Sequence, residues 1–204
     1  MAPQLTRLTH PPLNTTLIDL QDYQRRHDRE YHRDVDNANR LQQYQHNEEH
    51  FGKLGGRFAR HQKAGRAGLE MGPSLIDLES RTIPDTLCFT LKLANLLDLV
   101  LTEEFGKVYG IDASSPLSII QDQFPVQREY RHIQDDLADH VSVLSDYCDK
   151  NYHGEARDHV LTQLKATAVP GLLMVAIDFA NLFSVSLAKA YLERIRDGEH
   201  KKRL

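Results

Sequence analysis

The acidic residues best placed to do chemistry are Asp135, Asp136 and Asp139, in the run Gln134-Asp135-Asp136-Leu137-Ala138-Asp139. On a helix, Asp135 and Asp139 share a face and Asp136 flanks it, so their carboxylates could converge on a hard cation such as Mg²⁺, or Mn²⁺ in its place. The competing role is a solvated acidic face, since charge runs usually meet water. A second acidic pair is Asp85, directly after Pro84, with Glu79 about two turns earlier. A carboxylate there also suits the positive end of a helix dipole. Among the eleven histidines, His46-Asn47-Glu48-Glu49-His50 matches the H-x-x-E-H pattern of inverted zinc metallopeptidases, with two imidazoles one turn apart. No third-ligand motif follows it. His132, Asp136 and His140 recur at steps of four, and Glu129 with His132 forms one E-x-x-H pair where a di-iron bundle needs two. A transition metal at His46, His50, His132 or His140 therefore competes with histidines that sit on polar helix faces. No phosphate-binding G-x-x-x-x-G-K-[ST] loop, G-x-G-x-x-G, G-x-S-x-G elbow or C-x-x-C pair occurs.

The elements that would position these residues are helices. Apolar residues recur with helical period and almost nothing alternates, which predicts an all-α fold with helices over 16–29, 36–63, 74–100, 102–109, 116–123, 126–150, 155–184 and 186–197. Turn signals fall at 65–72, 110–115, 125 and 151–154. The chain has 204 residues, 40% hydrophobic and 26% charged, with a net charge of −4, which predicts a soluble protein with a sizeable core and no broad basic face for nucleic acid. No signal-peptide run opens the sequence, and Cys88 and Cys148 are too few for a disulfide framework, which points to the cytoplasm. The longest apolar stretch, 168–188, is interrupted by Pro170, Asp178 and Asn181 and reads as a buried core helix rather than a membrane span.

An internal repeat organises the chain. A shift of 86 residues superposes Pro84 on Pro170, Leu87 on Leu173, Ala94 on Ala180, Asn95 on Asn181, Leu96 on Leu182 and Leu101 on Leu187. This divides the chain into an N-terminal arm (1–15), a first helical unit (16–110), a second unit (111–197) and a basic tail (198–204). Two such units predict a four-helix-bundle-like core about a pseudo-twofold axis, with neither unit folding well alone. Pro84 and Pro170 each mark a kink or a helix start. Asn95 and Asn181, in the middle of apolar helices, are expected to hydrogen-bond across that axis.

Ile83-Pro84-Asp85-Thr86-Leu87, the following Leu91-Lys92-Leu93-Ala94-Asn95-Leu96-Leu97, the preceding His50-Phe51-Gly52-Lys53-Leu54 and the early Leu20-Gln21-Asp22-Tyr23 together resemble the MazG-like branch of the all-α nucleoside triphosphate pyrophosphohydrolases. The resemblance covers roughly 16–109 and, through the repeat, 126–197. It implies a Mg²⁺-dependent hydrolase whose E-E-x-x-E and E-x-x-D motifs hold the ions. At the motif positions the first unit has Glu49, His50 and Lys53, then Thr82 and Asp85; the second has Asp135, Asp136 and Asp139, then Ala168 and Gly171. The site implied is a composite, with Asp135, Asp136 and Asp139 joined by Asp85 and Glu79 from the other unit and Glu49 as a further metal ligand. The alternatives are a non-catalytic relative that binds a nucleotide or a protein partner through the surface from Tyr23 to His50, and a histidine metal bundle. The polar N-terminal helices are also a candidate surface for a second copy of the chain.

Overall fold

The structure, a computed structural model, describes residues 9–67 and 73–202 and is all-α. In chain order the helices are α1 (Leu17–Tyr31), α2 (Arg33–Asp36), α3 (Arg40–Ala67), α4 (Leu75–Asp77), α5 (Ile83–Leu96), α6 (Leu101–Tyr109), α7 (Leu117–Asp122), α8 (Tyr130–His153), α9 (Asp158–Gln163), α10 (Val169–Leu182) and α11 (Leu187–Lys202). Local chemistry sets several ends. Thr16 caps α1 by accepting from the Asp19 backbone N–H, and Ser74 and Asp77 form a reciprocal capping box at α4. Gly110 and Gly154 close α6 and α8 at φ 67° and 68°, where a side chain would be strained.

The helices expected over 74–100 and 155–184 are each broken in the same way. A proline has no N–H, and its ring collides with the carbonyl four residues back. Before Pro84 and Pro170 the helix widens by one residue into a π-helical turn, Leu78–Thr82 and Leu164–Ala168, so that Ile83 and Val169 donate to the carbonyls of Leu78 and Leu164. The two turns lie 86 residues apart, as do Asp98 and Ser184, whose φ values of 51° and 55° turn the chain into α6 and α11.

A second recurrence has a different spacing. Gln21 on α1 donates to Leu99 O at 2.6 Å and accepts from Leu101 N–H at 3.2 Å. Gln121 on α7 does the same with Val185 O at 2.7 Å and Leu187 N–H at 3.0 Å. Asn95 donates to Gln21 O at 3.1 Å and Asn181 to Gln121 O at 3.2 Å. The two asparagines therefore tie α5 to α1 and α10 to α7, rather than bridging the two apolar helices as expected. Gln21 and Gln121 are 100 residues apart instead of 86, because the first half carries extra chain around α2.

One continuous core contains residues from both halves. α5 packs on α10 and α3 on α8, and the closing helices cross over, α11 onto α5 and α6 onto α10. Phe58 of α3 stacks on Phe179 of α10 with ring centroids 3.8 Å apart. The helical stretch Asp158–Leu182 is long and apolar enough to span a membrane, but most of it is buried inside the fold, as a core helix would be. The described part of the expected N-terminal arm is docked: Thr15 O accepts from Leu117 N–H at 3.1 Å, and His10 Nδ1 lies 2.7 Å from the Tyr23 hydroxyl. The expected basic tail is helical through Lys202, as a continuation of α11, and Arg203 and Leu204 lie outside the described residues, as do Gly68 and Gly72 of the expected 65–72 turn.

Gln21→Ala leaves a buried carbonyl and a buried N–H without partners, each costing about 1–3 kcal/mol. The variant should unfold about 2–4 kcal/mol more easily in urea than the wild type. An unchanged denaturation midpoint would show that the amide clamp is dispensable.

Candidate functional site

The carboxylates singled out by their spacing do not gather. Asp85 is held by Arg194 of α11, with Nε to Oδ1 at 2.7 Å, and Arg57 of α3 stands 3.8 Å from its other oxygen. Asp136 pairs with Arg128 at 2.5 Å, and the same guanidinium reaches Asp178 of α10 at 3.2 Å. Asp135 and Asp139 face solvent, Asp135 with Arg131 at 3.8 Å. Glu49 is exposed and paired with Lys53 at 2.7 Å, which holds its carboxyl below the usual range. Glu79 lines a different cleft, beside Lys189 and Arg194. Among the described residues, the one group of three or more His, Cys, Asp or Glu side chains close enough to share an ion lies elsewhere. The donor set of the expected composite site thus does not fit a shared Mg²⁺ cluster. Asp85 is committed to Arg194, 109 residues later in the sequence, and Asp136 to Arg128, which stands just ahead of α8.

The histidine patterns resolve differently. The rings of His46 and His50 meet edge to face at 4.5 Å, and His50 stacks on Phe89 at 4.2 Å. Burial and then the neighbouring His46 push the His50 imidazole down to about 4, and burial lowers His46 as well, so both are neutral at pH 7. With Glu49 turned to Lys53, they lack the acid of a metallopeptidase. His140 packs against Gly171 so closely that a Cβ there would overlap its ring. The absence of a side chain at Gly171, the counterpart of Asp85, makes room for an imidazole.

A concave site of about 330 Å³ lies between α1, α2, α3 and α5. Arg25 and Arg29 reach it from α1, Arg40 from the start of α3 and Lys92 from α5, against Asp28, Asp36 and Asp98. Arg40 is fixed by Leu96 O at 2.7 Å and by Asp98 at 3.2 Å. Arg29 enters no ion pair among the described residues. Two amide oxygens belong to residues lining this pocket and are buried without a hydrogen-bond partner among the described residues, Asn47 Oδ1 and Asn95 Oδ1, while their nitrogens donate to Gln43 O and Gln21 O. Buried acceptors of this kind ordinarily find a donor.

The floor of the pocket is an ion pair. Lys92 Nζ lies 2.9 Å from Asp28 Oδ1, with side chains 11% and 17% exposed, and Gln24 Nε2 donates to the same oxygen at 2.9 Å. Burial alone would raise the Asp28 pKa, but the facing His27 ring and Lys92 outweigh it and hold the carboxyl below its usual range. Burial opposes the Lys92 charge as well, and Cys88 and Asp28 restore it. The pair recurs with its charges exchanged: Asp178 stands 86 residues after Lys92, and Arg128 stands 100 after Asp28. Burial leaves the Asp178 carboxyl above its usual range despite Arg128.

Comparison with family models, curated proteins and solved structures finds no match for this chain.

The pocket residues were only partly visible in the sequence. The surface from Tyr23 to His50 reads as a face for a partner, but nothing in the sequence singles out Lys92 and Asp28 as a pair. One signal was available: the 86-residue shift puts a charge at the same place in both apolar helices, Lys92 and Asp178.

Lys92→Met strands the Asp28 carboxylate, so the variant should lose about 3–5 kcal/mol at pH 7. Because the folded pKa of Asp28 is lowered, the pair stabilises fully above the unfolded pKa and the effect fades as pH falls through the folded value. The gap between variant and wild type should therefore narrow in acid. A gap that is constant from pH 7 to pH 3 would contradict this, as read by urea unfolding.

Proposed function

We propose that this chain is a duplicated relative of the MazG-like pyrophosphohydrolases that binds a nucleotide without using the four-acid Mg²⁺ site of that family. The observation that carries the reading is the pocket between α1, α3 and α5, which joins four basic side chains to two buried amide oxygens without donors. Arg25, Arg29 and Arg40 suit phosphate oxygens, for which a guanidinium offers several donors in a fixed plane. Asn47 Oδ1 and Asn95 Oδ1 suit the exocyclic amino group of a base such as adenine or cytosine. A pocket of this size accepts a small ligand. The resemblance in Ile83–Leu87 and Leu91–Leu97 supports the nucleotide class, and the arginines on Asp85 and Asp136 argue against hydrolysis through the composite acids.

Titration calorimetry with nucleoside mono- and triphosphates, alongside a pyrophosphate-release assay with Mg²⁺ or Mn²⁺, tests this. Amino-bearing nucleotides should bind, and Arg29→Ala or Arg40→Ala should weaken them about 10-fold or more, as expected for a lost charge-assisted hydrogen bond. Asp139→Ala should bind as the wild type does. Absence of binding would remove the reading. Pyrophosphate release abolished by Asp139→Ala would replace it with the hydrolase.

A further inference from the structure

His27 lies on α1 and is 3% exposed, yet among the described residues neither of its ring nitrogens has a hydrogen-bond partner. Its ring stacks on Tyr31 at 4.9 Å and lies 5.4 Å from the His32 ring, centroid to centroid. Asp28 Oδ1 stands 3.9 Å from His27 Nδ1, beyond hydrogen-bonding reach. One ligand atom each from His27, Asp28 and His32 falls within 4.8 Å of the other two. We infer that these three side chains bind one first-row divalent metal ion, with Zn²⁺ the ion whose chemistry fits best.

Two imidazoles and one carboxylate are a donor set that Zn²⁺ accepts in a tetrahedral site with one position open. Bonds of about 2.0–2.1 Å place tetrahedral ligand atoms about 3.3 Å apart, so small rotamer shifts close the three donors onto an ion. Gln24 and Lys92 both donate to Asp28 Oδ1, which orients the carboxylate as outer partners orient metal ligands. Metal coordination gives a desolvated His27 nitrogen the partner it lacks among the described residues. Asp28 and His32 also line the pocket, so an ion held by them is reached from it. The inference stands on the His27 geometry and does not depend on a nucleotide being bound.

The test is titration of the full, untagged chain with Zn²⁺ alone by calorimetry, with Co²⁺ absorption as the spectroscopic readout. The wild type should bind one ion per chain and give the visible bands of a tetrahedral Co²⁺ site. Outer-shell changes alone cost 10–100-fold in metal affinity, so His32→Ala and His27→Gln should each weaken binding by at least about 100-fold. His46→Ala/His50→Ala should not change it. His32 is partly exposed, so His32→Ala decides the matter even if His27→Gln does not fold. No saturable binding by the wild type, affinity retained in His32→Ala, or affinity lost only in the His46/His50 variant would overturn the assignment.

Discussion

The ion pair between Lys92 and Asp28 is the constraint on which the rest of the first half depends. An ammonium and a carboxylate 2.9 Å apart, both largely removed from water, are tolerable only as a pair and only with further donors such as Gln24 on the oxygen. The pair sets α1 against α5 and holds open the polar space in which Arg25, Arg29 and Arg40 stand. Its counterpart in the second half, Arg128 with Asp178, has the opposite polarity and reaches on to Asp136. A residue that could have been a metal ligand in the second half is thereby neutralised by a guanidinium. The same exchange of charge that leaves the first half with a basic pocket leaves the second half with a committed acid.

The closing helices join the two halves of the chain. α11 lies across α5 and α6 across α10, so each half completes the core of the other. Tyr191 of α11 donates to Gln24 of α1 at 2.7 Å, and Arg194 from the next turn takes Asp85. Docking α11 therefore satisfies a buried amide and consumes the one acid that the first half retains at the end of its E-x-x-D positions. The π-helical turns before Pro84 and Pro170 set this arrangement, because a helix widened by one residue re-aims every side chain after it. Gln21 and Gln121 then hold the start of each closing helix with two bonds from one amide.

Much of the fold was legible because its causes are local. Helical periodicity predicts the long elements, glycines mark the ends at Gly110 and Gly154, and the 86-residue shift finds matched prolines that the structure gives matched π turns. The glutamine clamps were not found, because the first half carries fourteen more residues ahead of its repeat and an ungapped shift cannot pair them. The candidate site was less legible for a different reason. Spacing along a helix says which carboxylates share a face, but not that Arg194 comes 109 residues later to sit on Asp85. It likewise places Asn95 in an apolar helix without saying that its partner is Gln21 of α1. His27 and His32 are five apart, outside the three- and four-residue spacings that put ligands on one helix face, and α1 ends between them.

We propose that a ligand binds in the pocket of α1, α3 and α5 and not at the acidic run on α8. Hydrogen–deuterium exchange of the full chain with and without a saturating amino-bearing nucleoside triphosphate and Mg²⁺ separates the two. Added protection is expected in 25–47 and 92–98, with 130–140 and 79–85 unchanged. Protection confined to 130–140 and 79–85 would contradict it and return the acids to the centre of the site.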